Sequence, residues 1–160
     1  VKMIDNYFDK KNEKLILSII KETINIRLKI MKINPLASNL GHTFGHAIEK
    51  LTNNKITHGD AVSIGTVLAL KYSITRKIFP EKKFKKIMVL MKKIGLITSL
   101  DFRFPEKKLL GYMLKDKKSF DNKVGLILIK DIGKPFMKNY LPFYYCNKFE
   151  MLQYLRSINK

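Results

Sequence analysis

All three histidines of the chain lie within 17 residues and could act on one ligand. His42 and His46 are four residues apart, so on a helix both side chains project from the same face. His58 follows a short polar break, at the start of a second apolar run. Imidazole suits zinc and cobalt, and a catalytic zinc typically has three protein ligands and one open position. The spacing therefore predicts a shared site for a divalent metal or a substrate, against the alternative of three unrelated histidines.

Glycines surround these histidines. Gly41 precedes the first pair, Gly45 lies between its members, and Gly59 follows His58. A glycine inside a helix costs about 1 kcal/mol relative to alanine. A close approach by another backbone or by a ligand would explain Gly45, which favours the functional interpretation over the structural one.

The histidines are predicted to lie on helices. Apolar residues recur at mostly helical spacing over residues 12–33, and Asn34-Pro35 ends that helix. The histidine motif predicts a helix over residues 39–51, followed by a turn. Residues 59–77 predict a buried helix whose small side chains permit close packing.

The second half of the chain predicts three further helices and one strand. An apolar stripe over residues 84–94 is typical of a helix that packs on the core and ends before Gly95. Pro105 opens a short helix, and Asn147 with Glu150 resembles a capping box for a last helix through residue 158.

The one clear strand covers residues 124–129, and we expect it to pair with residues 136–140 across the turn Gly133-Lys134-Pro135. The pattern therefore predicts a mainly α domain with a small β element. It contains no glycine-rich turn between a strand and a helix, so it does not predict a dinucleotide-binding domain.

Composition predicts one domain in a reducing compartment. The 160 residues are 46% hydrophobic, which is enough for a core. The longest apolar stretch, Ala61 to Leu70, is too short to span a bilayer, and the first residues do not resemble a signal peptide. Cys146 is the single cysteine, so it forms no internal disulfide, which favours the cytoplasm.

The formal charge of +19 is typical of proteins that bind polyanions. Here the lysines are spread along the chain rather than gathered in one arm, so we favour a solvated lysine-rich surface without a specific nucleic-acid partner. The same field would attract an anionic substrate.

The histidine motif resembles that of a known family. Residues 39–49 read Asn-Leu-Gly-His-Thr-Phe-Gly-His-Ala-Ile-Glu and residues 58–62 read His-Gly-Asp-Ala-Val. Both segments are similar to the metal-binding core of 3-dehydroquinate synthase, a sugar phosphate cyclase. Residues 19–35, 113–118 and 124–135 are similar to further segments of that family, so the resemblance covers most of the chain.

The resemblance implies a mainly α, multi-helix C-terminal domain of the dehydroquinate synthase-like fold, with a small β-hairpin near the C-terminus. It implies that residues 1–160 form this single metal- and substrate-binding domain. The family's N-terminal NAD-binding domain would lie upstream of Val1 and be absent from the chain, either as a missing part or as a separate chain.

The resemblance also implies a lyase of the shikimate route to chorismate and the aromatic amino acids. Such an enzyme cyclises 3-deoxy-D-arabino-heptulosonate 7-phosphate to 3-dehydroquinate with loss of phosphate. It would need NAD, bound mainly by the N-terminal domain, and one zinc or cobalt ion. The implied partners are an anionic sugar phosphate, the N-terminal domain or chain, and a second copy in a cytoplasmic homodimer.

By resemblance, His42 and His58 would be metal ligands, and His46 would lie beside the reacting centre and relay a proton. The other implied catalytic residues are Asn39, a hydrogen-bonding partner of the substrate; Arg27, where the family usually has lysine; and Lys117 or Lys118, a cationic partner of the phosphate or carboxylate.

The chain also departs from the family pattern. The family's third metal ligand, a glutamate, would fall upstream of Val1, and Lys2 could be the active-site lysine that follows it. Asn34 replaces an aspartate, Asp60 replaces a glutamate, and the shortened stretch between Pro35 and Asn39 lacks a substrate-binding arginine. These departures leave two alternatives: a related cyclase that makes another cyclitol, such as 2-deoxy-scyllo-inosose, and a noncatalytic basic binding module.

Overall fold

A computed structural model describes residues 13–159, and the chain divides into two compact units, the first ending at Ser38 and the second beginning at Asn39. In the first unit, helix α1 spans Glu13–Ile33, as predicted. Glu13 in its first turn and Lys32 in its last turn both suit the helix dipole. The helix ends at Ile33 because the next residue precedes Pro35 and is disfavoured in the helical conformation.

The second unit contains five α-helices among its described residues. These are α2 (His42–Leu51), α3 (His58–Thr75), α4 (Glu81–Lys93), α5 (Glu106–Leu114) and α6 (Lys148–Ile158). All five were predicted, with small shifts at the ends. Helix α2 begins at His42 rather than at residue 39, because Gly41 before it adopts a left-handed backbone conformation (φ 79°).

The strands are β1 (Lys123–Ile127), β2 (Ile129–Asp131), β3 (Lys134–Pro135) and β4 (Phe143–Asn147). The predicted pairing of the first strand with residues 136–140 is wrong for residues 123–127 and holds only at the strand's end, where the Phe136 N–H donates to the Leu128 carbonyl (2.9 Å). Strand β1 pairs antiparallel with β4, which places Val124 opposite Cys146. The expected turn does form a hairpin, but only the short β2–β3 pair with an irregular register. Pairing of β1 with β4 instead places Cys146 of β4 in the buried core.

Helix α3 lies at the centre of the second unit and packs on α2, α4 and β2. It is buried nearly all round, as expected for a helix without a polar face. Its Tyr72 hydroxyl donates to Glu150 Oε1 of α6 (2.6 Å), and the Tyr154 hydroxyl of α6 donates back to the Leu68 carbonyl (2.7 Å). Cys146 is fully buried in the same core, and burial raises its thiol pKa to about 11.

Two predicted local features differ in detail. Along α4, Met91 alone is fully buried, so the apolar stripe packs at the edge of the core rather than inside it. At the start of α6, Asn147 Oδ1 accepts from the Glu150 backbone N–H (2.9 Å), as in a capping box. The Glu150 side chain instead pairs with Tyr72 and Arg76, so the reciprocal half of the box is replaced by a tertiary contact.

Helices α2 and α3 approach so closely that their backbones touch. A β-carbon added at Gly65 of α3 would lie 2.7 Å from the Gly45 amide nitrogen and closer still to the Gly41 carbonyl oxygen. A β-carbon added at Gly45 would lie 3.1 Å from Val62. The glycine inside the histidine motif is therefore explained by helix packing.

None of the helices in residues 13–159 combines the length and apolar character needed to cross a membrane.

We predict that Gly65→Ala destabilises the protein by about 2 kcal/mol or more, because the new methyl group has no space between the two helices. Gly111→Ala is the matched control, since Gly111 also lies in a helix but has no neighbour within 4 Å of a β-carbon. The control should raise stability by up to about 1 kcal/mol. Urea unfolding measures both, and equal effects would contradict the packing argument.

Candidate functional site

The three imidazole rings converge on one site. Their centroids are 5.6 Å apart for His42 and His46, 5.5 Å for His42 and His58, and 6.0 Å for His46 and His58. His42 and His46 lie one turn apart on α2. The site is half-open, with the His46 side chain 39% and the His58 side chain 57% exposed.

The third histidine is positioned by the N-terminal cap of α3. Thr57 is the capping residue, and its Oγ1 accepts from the Asp60 backbone N–H (3.3 Å). The same hydroxyl donates to Asp60 Oδ2 (2.6 Å). His58 is therefore the first helical residue. Asp60, which stands where the family pattern has glutamate, takes part in the N-terminal cap.

Each ring has its Nδ1 atom against an oxygen. His42 Nδ1 donates to the Leu40 carbonyl (3.2 Å), His46 Nδ1 to Asp116 Oδ2 (3.0 Å) and His58 Nδ1 to Glu49 Oε1 (3.2 Å). A carbonyl or a carboxylate only accepts, so each of these Nδ1 atoms carries the proton. The three Nε2 atoms are left free to bind a metal or exchange a proton.

Behind His46 lies a buried ion pair. The Lys118 Nζ is 2.6 Å from Asp116 Oδ1, and the two side chains are only 3% and 4% exposed. Burial alone would raise the pKa of Asp116, but the hydrogen bonds from Lys118 and His46 outweigh it and hold that pKa below its ordinary value. The carboxylate is therefore ionised at neutral pH.

The environment also favours a neutral His42. Burial lowers its pKa below the ordinary value, and the nearby Lys118 charge also lowers it, against the opposing hydrogen bond to the Leu40 carbonyl. An unprotonated ring is the form that binds a cation.

The donor set suits a divalent cation. One ligand atom from each of His46, Glu49 and His58 can be chosen so that all three lie within 4.8 Å of one another. Two imidazoles and one carboxylate are typical zinc ligands, so the residues fit the metal that the resemblance implies. This group shares His58 with the predicted pair but has His46 and Glu49 where the prediction has His42.

A cavity of about 400 Å³ has His46 in its wall and lysines at its rim. Its lining residues are His46, Glu49, Lys50, Asn54, Tyr112, Lys115, Asp116 and Lys117. Lys117 is exposed and lines this cavity, whereas Lys118 is buried against Asp116. The structure thus separates the two lysines that the sequence left as alternatives.

The other predicted site residues are placed as follows. Asn39 is half-buried and lies three residues before His42. Arg27 is exposed on α1, in the first unit, and its role stays a prediction. Lys2 lies outside the described residues. From residue 13 to residue 159 no strand leads through a glycine-rich turn into a helix.

Two residues had no role in the sequence analysis, Glu49 and Asp116. Glu49 follows His42 and His46 at a spacing of seven and three residues, so the helical period placed it on their face. No comparable signal was available for Asp116, which lies 70 residues from His46 in the sequence.

Solved structures share this fold. A 2-deoxy-scyllo-inosose synthase complexed with carbaglucose-6-phosphate, NAD+ and Co2+ superposes with a TM-score of 0.68 at 28% identity. The match covers 78% of this chain and 35% of that one. The fold is therefore that of the C-terminal part of a sugar phosphate cyclase.

Sequence comparison gives the family. The family pattern described as 3-dehydroquinate synthase C-terminal matches residues 2–119. The 3-dehydroquinate synthase of Thermodesulfovibrio yellowstonii is 33% identical over 78% of this chain and 37% of its own length. That of Clostridium tetani is 34% identical over 84% of this chain and 38% of its own length. The chain belongs to the 3-dehydroquinate synthase family and spans about a third of the length of these relatives.

We predict that His42 titrates below its ordinary pKa of 6.5 in the metal-free protein. The unfolded chain then binds this proton more tightly than the folded one, so protonation of His42 favours unfolding. We therefore expect His42 to lower the stability of the protein as the pH falls through 6.5. NMR titration of the imidazole C–H signals measures the midpoint. A midpoint at or above the ordinary value would contradict the burial argument.

Proposed function

We propose that this chain supplies the metal- and substrate-binding part of a 3-dehydroquinate synthase, which converts 3-deoxy-D-arabino-heptulosonate 7-phosphate to 3-dehydroquinate with loss of phosphate. The observation that carries the proposal is the convergence of three imidazoles, each with an engaged Nδ1, beside a cavity with a basic rim. An N-terminal part, like that of the longer relatives, would bind NAD. We expect the complete enzyme to be a cytoplasmic homodimer that uses zinc or cobalt.

His42 and His58 would hold the metal through Nε2, with a carboxylate contributed by the N-terminal part. A divalent cation there would supply Lewis-acid polarisation of substrate oxygens. Glu49 would act behind His58, because its carboxylate already accepts the hydrogen bond from His58 Nδ1 and so leaves Nε2 as the nitrogen available to the metal.

The other side chains would bind and deprotonate the substrate. His46 Nε2 would take up and return a proton, since its Nδ1 is occupied by Asp116. Lys117 would pair with an anionic group of the substrate in the cavity, and Asn39 would hydrogen-bond a hydroxyl. The charge of +19 would raise the local concentration of an anionic sugar phosphate.

Metal binding tests the ligand assignment. Removing a residue that hydrogen-bonds a metal ligand typically weakens metal binding roughly 10–100-fold. We expect His42→Ala and His58→Ala, which remove ligands themselves, each to weaken Co2+ binding by more than that. Glu49→Gln should fall within that range, and His46→Ala should have the smallest effect. Calorimetric titration of the metal-free chain gives the affinities. A larger loss for His46→Ala than for His42→Ala would instead favour the group His46, Glu49 and His58.

The role of Lys117 predicts a defect in substrate binding. Lys117→Gln removes a charge-assisted hydrogen bond worth about 1.5–3 kcal/mol, so KM should rise roughly 10–100-fold. Lys108→Gln is the matched control, because Lys108 is equally exposed on α5 but does not line the cavity. Steady-state kinetics of the complete enzyme would measure both, and similar KM values for the two variants would refute the assignment.

A chimaera tests the function itself. The N-terminal part of the Thermodesulfovibrio yellowstonii relative would be joined to this chain and supplied with NAD, Co2+ and the seven-carbon acid phosphate. We expect release of phosphate and formation of 3-dehydroquinate, both lost in His46→Ala. Turnover of other sugar phosphates alone would favour the related cyclase. Absence of any turnover, combined with salt-sensitive DNA binding near physiological salt, would favour the noncatalytic basic module.

A further inference from the structure

The buried ion pair behind His46 is not explained by stability. Asp116 and Lys118 are 4% and 3% exposed and lie 2.6 Å apart. Removing two charges from water costs several kcal/mol for each ion, and replacing such a pair with apolar side chains of similar volume is often neutral or stabilising. A buried ion pair behind a candidate site therefore needs another explanation. The hydrogen bond between Asp116 and His46 provides one.

The two carboxylate oxygens of Asp116 have different hydrogen-bonding partners. Its Oδ1 accepts from the Lys118 ammonium (2.6 Å) and from the Lys118 backbone N–H (3.0 Å). Its Oδ2 faces His46 Nδ1 at 3.0 Å. The lysine thus fixes the charge and direction of the carboxylate, and the second oxygen is left to the histidine.

The segment that carries Asp116 is also clamped in place. The Lys118 carbonyl occupies the space that a β-carbon at Gly125 would need. Ser119 Oγ accepts from the Gly125 N–H (3.1 Å), and Thr43 Oγ1 donates to the Gly125 carbonyl (2.8 Å). Strand β1 therefore ties the segment to helix α2, the same helix that carries His46.

We propose that Asp116, held by Lys118, is a positioning residue that keeps His46 in the tautomer with the proton on Nδ1 and Nε2 free. An imidazole without such a partner can carry its proton on either nitrogen. Only the Nδ1–H tautomer leaves Nε2 able to accept a proton at the shared centre. In the serine proteases, loss of the aspartate that holds the catalytic histidine lowers kcat about 10⁴-fold, which indicates how much one tautomer can matter.

The catalytic significance of this inference depends on the proposed role of His46, but the tautomer can be measured without metal, NAD or substrate. Long-range ¹H–¹⁵N NMR of the metal-free chain distinguishes the protonated from the unprotonated ring nitrogen. The spectra would be recorded at a pH of about 8.5, roughly two units above the ordinary imidazole pKa. We expect His46 of the unmodified chain to show its unprotonated signal at Nε2.

Two double variants separate positioning from folding. Asp116→Leu with Lys118→Met removes the acceptor and both charges, and it should fold, because neither charge is left unpaired. Asp116→Asn with Lys118→Met restores an acceptor, since the amide oxygen can still face His46. Cooperative thermal unfolding establishes that each variant is folded. His42 and His58 serve as internal references, because their Nδ1 partners are unchanged.

In the leucine double variant, we expect His46 to lose its single unprotonated-Nε2 signal. A substantial fraction of the molecules should then carry the His46 proton on Nε2. The asparagine double variant should recover the Nδ1–H tautomer. A folded leucine variant that keeps the original tautomer would overturn the proposal, as would an unmodified chain whose His46 already carries its proton on Nε2. Failure of the chimaera to cyclise its substrate would contradict the proposed function. It would not change the expected His46 tautomers in the unmodified chain and the two double variants.

Discussion

The backbone contact between α2 and α3 is the constraint on which the site depends. Gly65 leaves no room for a side chain against Gly41 and Gly45, so the two helices meet closer than helices with larger interface residues. Because His42 and His46 belong to one helix and His58 opens the other, this contact sets the distance between the rings. Any residue larger than glycine at the crossing would separate the ligands as well as the helices.

Three different structural sources then orient the three rings. His42 is held by a carbonyl two residues away, His58 by a carboxylate from the facing helix, and His46 by a carboxylate from a distant loop. The strength of these anchors differs with burial. Asp116 is shielded from water with its counterion, whereas Glu49 is 20% exposed, so the orientation of His46 is more rigidly imposed than that of His58.

The features that sequence predicted were those encoded locally. Apolar periodicity and caps predicted all six described α-helices but not the short 3-10 helix Pro35–Asn39, and the four-residue spacing put His42 and His46 on one face. The β1–β4 pairing was missed, because a turn signal near residue 134 favoured a local hairpin over a partner further along the chain. The Asp116 contact depends on strand β1 bringing a loop back to α2, and no local pattern encodes that. Lys117 and Lys118 are adjacent and chemically identical, so the sequence could not distinguish their roles. The structure does so, because Lys117 is exposed and Lys118 is buried.

The central claim is that Nε2 of His42 and Nε2 of His58 hold one cation beside His46. Crystals of the chain soaked in Co2+ and measured at the cobalt absorption edge test it most directly. The account predicts one strong anomalous peak at the histidines, about 2.0–2.1 Å from Nε2 of His42 and of His58. A peak bound through Nδ1 atoms, a peak elsewhere on the chain, or no peak at the histidines under saturating cobalt would contradict it.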